Sequence, residues 1–432
     1  MKEQVSPPGF RLTRRIGFIG PGLVYGLTVL GTGDIVSNSV AGASYRYDLI
    51  WALGMALVFR YVWVNTSAKY VLVTGESLLT GYGRVGRWVP WVVIAAFFPL
   101  RHLTNQYLIL MMGSSAHMLF PLPLAWSGEI WACLFTFLGF AMAFWVGYPA
   151  LESFCKALVG VMGASLVVAA LLSDPDPADI LRGTFIPTLP QTQGLYSSVL
   201  IVLALIGTEA GSIANLTYAY FISERGWTGA SYLRHQRVDL AVGALFRFIM
   251  GGLLQVAAAG VIHPLGVVVE NPEDLGEIFW RTQGALGLLV FALGLWGSAF
   301  SSFIGLNTGH ALILTDVCRT FVPSLKRVRK MEGYSPKRDP IYRVMIVFWS
   351  FVPLYIVFTG TRTVWLVLIT ASFGALLIPV LGLSLLKITN DRRLLGNYRN
   401  GWATNSILVI LVSVALDFGY RNGLNLWRDL FY

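Results

Sequence analysis

Apolar runs of membrane-spanning length recur along this entire chain, and such a polypeptide has little choice but to fold as a bundle of membrane helices. Read between charges, glycines and prolines, eleven segments begin near residues 18, 48, 88, 128, 151, 196, 239, 284, 341, 363 and 402. One spanning helix takes about 20 apolar residues. The 432 residues are therefore consumed by spans, and no sizeable extramembrane domain is left over. Charged residues form only 12% of the chain, against roughly 25% in soluble domains. Mean hydropathy is +0.64. These values exclude a soluble enzyme.

A net charge of +10 would suit a nucleic-acid partner, but its distribution follows topology instead. Placing the N-terminus in the cytoplasm puts Arg84, Arg87, Arg225, Arg234 and Arg237 in internal loops. It also puts there the basic stretch from Arg319 to Arg338, and Lys387, Arg392, Arg393 and Arg399. The opposite loops carry Asp174, Asp176, Asp179, Glu270, Glu273, Asp274 and Glu277. Lysine and arginine accumulate on the cytoplasmic side, so the pattern predicts N-inside and, with eleven spans, C-outside. No nucleic-acid partner and no obligatory protein partner is indicated; the bilayer is the expected environment. The compact chain with short tails suggests a prokaryotic inner membrane. The first span lacks a small-residue cleavage pattern, so no removable signal peptide is expected. Cys133, Cys155 and Cys318 lack CxxC spacing and read as packing residues.

The predicted organisation is a cytoplasmic tail over 1–17, a single transmembrane transporter domain over 18–420, and a C-terminal tail over 421–432. Within the domain a first repeat covers about 18–172 and a second about 196–388, with an eleventh helix at 402–418. Small residues interrupt the first and sixth spans in their apolar middles, at GTGD (31–34) and TEAGS (208–212). Paired interruptions five spans apart are the sequence sign of an inverted-repeat transporter, whose broken helices build a site near the midplane.

Both interruptions carry an acid. Asp34 follows Gly31 and Gly33, and Glu209 precedes Gly211 and Ser212. An ionisable side chain at this depth is costly unless paired, hydrated or bound to something. Two carboxylates could neutralise a divalent cation, with Asn215 and broken-helix carbonyls adding oxygen ligands. The structural alternatives are Asp34 as N-cap of a half-helix starting at Ile35, and a protonated Glu209 bonded to a neighbouring helix. In the third span, Arg101, His102, Asn105 and Gln106 form a polar stretch without an acid. His102 could relay protons, whereas Arg101 is expected to snorkel or to pair with an acid such as Glu152. No Walker A loop is present, and no nucleophile, base and orienting group stand close in sequence. The chain reads as a secondary transporter, not an enzyme, and no cofactor is expected.

Several stretches taken together resemble the Nramp family of divalent metal transporters, which have the LeuT-type fold. GPGLVYGLTVLGTGDIVSNSVAGA (20–43) looks like the family's first helix, and AKYVLVTGESLL (68–79) like the end of its second. YPALESFCKALV (148–159) with GTFIPTLP (183–190) resembles the fifth helix and the loop beyond it. FALGLWGSAFSSFIGLNTGHALI (291–313) resembles the eighth helix, and ITNDRRLLGNYRN (388–400) the tail of the tenth. The resemblance implies an all-α membrane protein of about eleven helices, a LeuT-type 5+5 inverted repeat with helices 1 and 6 broken.

The binding motifs depart from the family pattern. The family's DPGN falls on Gly31-Thr32-Gly33-Asp34, so its metal-binding aspartate is Gly31 here and the carboxylate is displaced to Asp34. Aligned on Asn215, the family's MPH falls on Ser212, Ile213 and Ala214; anchored on Gly207, the methionine position becomes Gly211. The metal-site glutamine of the tenth helix corresponds to Ser372. The third helix lacks the acids that the family uses for proton movement.

The metal ligands implied are thus Asp34 and Glu209, with the Thr28 carbonyl, Gly31, Gly211, Ser212, Asn215 and Ser372 as lesser ligands or positioning groups. Without the thioether the site should prefer hard ions. The expected cargo is Mn2+ or Mg2+ before Fe2+, a logic resembling that of the Nramp-related magnesium transporters. The alternatives are a LeuT-fold transporter of a small organic solute and a non-transporting Nramp-like sensor.

Overall fold

The computed structural model describes residues 31–431, apart from 147–148, 192–194, 212–214, 217, 220–221, 223–225 and 326–335. Among the described residues every regular element is a helix. In chain order these are α1 (Thr32–Tyr45), α2 (Ile50–Thr74), α3 (Leu78–Val85), α4 (Val89–Leu119), α5 (Ser127–Ala141), α6 (Pro149–Leu172) and α7 (Pro177–Phe185). They continue as α8 (Ser198–Glu209), α9 (Leu233–Val261), α10 (Pro272–Phe321), α11 (Pro340–Phe351), α12 (Thr363–Ala375), α13 (Ile378–Asn390) and α14 (Trp402–Phe431).

The side-chain distribution is that of a protein dissolved in lipid. Leu171 on α6 and Leu286 on α10 are each 70% exposed, and Phe137, Val161 and Leu245 also face outward. Charge lies inside: Asp34, Arg60, Arg101, Glu209 and Arg247 are all buried. Contiguous apolar surface on this scale is rare on soluble monomers, whereas hydrocarbon solvates it and ionisable groups retreat to the bundle interior.

The first expected start, near residue 18, lies outside the described residues; the other helix starts agree closely with the apolar segmentation, with two informative differences at the chain's later spans. The eighth span was placed at 284, but α10 begins at Pro272 and turns at Gly284, where φ is +66° and ψ −152°. Only glycine adopts such a backbone without strain, so an outer helical arm precedes the spanning one. The outer arm is started by Asp274, whose Oδ2 accepts from the backbone N–H groups of Glu270 and Asn271 at 2.8 Å. At the other end, α14 continues through residues expected to be tail, as far as Phe431.

The first and sixth spans meet at the centre. α1 is the half-helix that follows the first interruption, and it packs against α8, α9 and α12. α8 is the half-helix that precedes the second interruption and packs against α2 and α12. Gly207 makes the α8–α12 approach possible, since a Cβ there would collide with the Ala371 carbonyl.

Candidate functional site: a buried carboxylate–guanidinium cluster and its cavity

Asp34 sits in the first turn of α1, three residues after the N-cap Gly31. Its Oδ2 accepts from the Gly31 backbone N–H at 3.0 Å. The helix therefore starts at Thr32 rather than Ile35, and Asp34 reaches back to the cap instead of being the cap itself. Gly31 is fully engaged, because its carbonyl also accepts from Asp34 N and Ile35 N at 2.8 and 3.1 Å.

Glu209 is the last residue of α8. Asn215 ties off this helix end, its Nδ2 donating to the carbonyls of Glu209 and Ala210 at 2.7 and 3.0 Å. Gly211 lies against Gly374 of α12. The two interruptions thus place two acids side by side.

Both acids are held by arginines. Arg247 on α9 places Nη2 2.6 Å from Asp34 Oδ2 and 2.8 Å from Glu209 Oε2. Its Nε donates to Glu209 Oε2 at 3.0 Å. Arg60 on α2 donates to the same Oε2 through Nη1 at 2.8 Å. Two acids and two arginines therefore sit together, with every side chain at most 8% exposed. Two oxygens near these acids remain unsatisfied: Asp34 Oδ1 and Asn215 Oδ1 are buried and accept no hydrogen bond. An unmatched buried acceptor costs about 1–3 kcal/mol, so both are poised to take a donor or a cation.

Of the other expected ligands, Thr28 and Ser212 lie outside the described residues. Ser372 turns away, its Oγ donating to Leu368 O of its own helix at 2.8 Å and reaching Leu200 O at 3.5 Å. Arg60 and Arg247 were not singled out from the sequence. Each is a lone cation in an apolar run, ALVFRYVWV and ALFRFIM, and the rule that intramembrane charges seek partners would have flagged both.

A cavity of about 100 Å³ opens next to the cluster, bounded by Gly33 of α1, Gly207 and Thr208 of α8, Gly211, α4, α10 and α12. Arg101 of α4 and His310 of α10 line it. Arg101 does not snorkel: it is 1% exposed, and it reaches no acid among the described residues. It donates through Nε and Nη2 to Asn307 Oδ1 at 3.2 and 2.8 Å, and through Nη2 to Asn105. The side chain of Glu152, its expected partner, lies outside the described residues. His102 stands 3.4 Å from the Tyr355 hydroxyl and is not part of the cavity wall.

A helical bundle in which the start of α1 and the end of α8 bring two acids together beside a cavity is the arrangement expected of a LeuT-type transporter. The chain belongs to the Nramp family: the model described as natural resistance-associated macrophage protein-like matches residues 22–420. It is similar to the divalent metal cation transporter MntH of Mycobacterium leprae, at 27% identity over 423 residues, covering 93% of this chain and 91% of that protein. MntH of Bacillus subtilis is 23% identical over 421 residues, covering 93% and 90%.

Among solved structures, the Eremococcus coleocola manganese transporter in complex with an aromatic bis-isothiourea compound superposes with a TM-score of 0.66 at 17% identity, covering 92% of this chain and 85% of that one. Mhp1, a nucleobase-cation-symport-1 family transporter in a closed conformation, gives 0.57 at 13% identity, covering 91% and 89%. The chain is accordingly an integral membrane protein.

Proposed function

We propose that this protein is a secondary transporter that moves a divalent metal cation, Mn2+ foremost, across a prokaryotic inner membrane by alternating access. One observation carries the reading: Asp34 and Glu209, at the two helix interruptions, converge on a single nitrogen of Arg247. A position where two carboxylates from separate half-helices hold one cation is a position where another cation can replace it.

In this reading Arg247 occupies the cation's place in the empty transporter. An arriving metal takes Asp34 Oδ1 and a Glu209 oxygen, with Asn215 Oδ1 as a neutral ligand, and Arg247 withdraws. Arg60 stays with Glu209 and limits how much negative charge the metal meets. Carboxylate and amide oxygens suit hard ions, and the likeness to a structure described as a manganese transporter supports Mn2+ as the first candidate. The metal is cargo; the reading invokes no cofactor and no protein partner. The basic loops support an N-terminus in the cytoplasm.

Purified protein in proteoliposomes should take up radiolabelled Mn2+ in a saturable manner, with Mg2+ and Fe2+ tested as competitors. Helix α4 contains neither Asp nor Glu, so uptake should proceed without acidification of the lumen. Uptake no greater than in protein-free vesicles would refute the proposal.

A further inference from the structure

The cavity beside the cluster is built for the opposite charge. Neither Asp34 nor Glu209 lines it, while Arg101 does. Arg101 has no ion pair among the described residues, and its Nη1 is buried without an acceptor. Its other donors go to Asn307 and Asn105, which are neutral. A guanidinium buried among neutral amides is an uncompensated charge, a costly arrangement unless something anionic completes it.

His310 adds a second unmet donor. It is 5% exposed, and neither ring nitrogen has a partner. One nitrogen of a neutral imidazole must carry a proton, so whichever tautomer is present leaves a buried N–H unused. The cavity's threonines cannot substitute: Thr104, Thr208 and Thr370 donate their hydroxyl protons to Leu100, Ala204 and Leu366 carbonyls at 2.8, 2.6 and 2.6 Å. The nitrogen donors on this wall are therefore Arg101 and His310, with the Tyr107 hydroxyl also in the lining.

The neighbouring cluster sets two acids against two arginines, whereas Arg101 is a further basic side chain with no acid of its own among the described residues.

We propose that this cavity binds one small monovalent anion, held by Arg101 Nη1 and the His310 ring N–H. The volume, about 100 Å³, admits a halide or a short carboxylate, against roughly 30 Å³ for each water in the liquid. Both ligands share one chemistry, a compact single negative charge that accepts two N–H donors. The cargo reading is not required for this site, because binding can be measured with no metal present.

The test is equilibrium binding of radiolabelled chloride to purified protein in a chloride-free, metal-free buffer, with bromide, formate and acetate as competitors. One saturable site per chain is expected. Displacement mainly by bromide would identify an inorganic anion, and displacement mainly by formate or acetate a carboxylate ligand; either supports the site. Arg101→Gln should weaken binding at least roughly tenfold, the scale of one charged hydrogen bond. Arg101→Lys should retain part of it. If Arg101→Gln does not fold, His310→Phe decides, with a loss of roughly fivefold or more expected from one donor. Absence of saturable binding in the wild type, or unchanged affinity in a folded Arg101→Gln or His310→Phe protein, would overturn the proposal.

Discussion

Arg247 on α9 donates to Asp34 on α1 across 2.6 Å, joining side chains 213 positions apart in the sequence. The same nitrogen lies 2.8 Å from Glu209. One guanidinium therefore locks both helix interruptions together, and the stability of the empty protein and its access to a cation become opposing demands on one residue.

Arg247→Gln should expose that opposition. Removing one member of a buried ionic cluster typically costs about 3–5 kcal/mol, so the metal-free variant should melt well below the wild type. Mn2+ should then raise its melting temperature by more than it raises that of the wild type, since ligand binding stabilises in proportion to occupancy. Thermal melts with and without Mn2+ check both halves of the expectation.

The two carboxylates should not be equivalent. Glu209 receives Arg60 and Arg247, whereas Asp34 receives Arg247 and one backbone N–H. Glu209→Gln leaves two buried arginines short of charge and should lower the melting temperature more than Asp34→Asn does. Both should abolish Mn2+ uptake. Parallel melting and uptake curves on the two variants separate the structural loss from the functional one.

Much of this was legible in the sequence. Asp34 and Glu209 stand out because an acid beside glycines in an apolar span has few bland explanations, and the paired interruptions give the broken-helix architecture. The cluster was not legible, because Arg60 and Arg247 sit in helices that were read only for span length. Pairing over 149 and 213 residues depends on how α2 and α9 pack around α1 and α8. Arg101 stands out in the sequence, yet Asn307, the neutral partner it finds 206 positions away, is a residue that apolar segmentation passes over.

Gly207 should tolerate no side chain. Its Cβ would meet the Ala371 carbonyl, a backbone atom that cannot rotate aside. Gly207→Val should force α8 and α12 apart at a cost of about 1–3 kcal/mol or more, and it should also distort the cavity wall. A lower melting temperature together with loss of Mn2+ uptake is the expected pair of results.

Asp339 offers a contrast away from the site. It caps α11 by accepting from Ile341 N at 2.9 Å and grips Arg319 through Nε and Nη2 at 2.7 and 3.0 Å. Asp339→Ala removes the cap and takes a carboxylate from a buried arginine, with an expected loss of about 3–5 kcal/mol. Mn2+ uptake per folded molecule should be unchanged, which reconstitution normalised to monodisperse protein can establish.

The central claim is that Asp34 and Glu209 exchange Arg247 for a divalent cation. The most direct measurement is the Mn2+ dissociation constant of purified wild-type, Asp34→Asn and Arg247→Gln proteins under one set of conditions. The account predicts that affinity moves in opposite directions: at least roughly tenfold weaker without the Asp34 charge and roughly tenfold tighter without Arg247, each about 1.4 kcal/mol. Equal affinity in all three proteins, or weaker binding in Arg247→Gln, would contradict it.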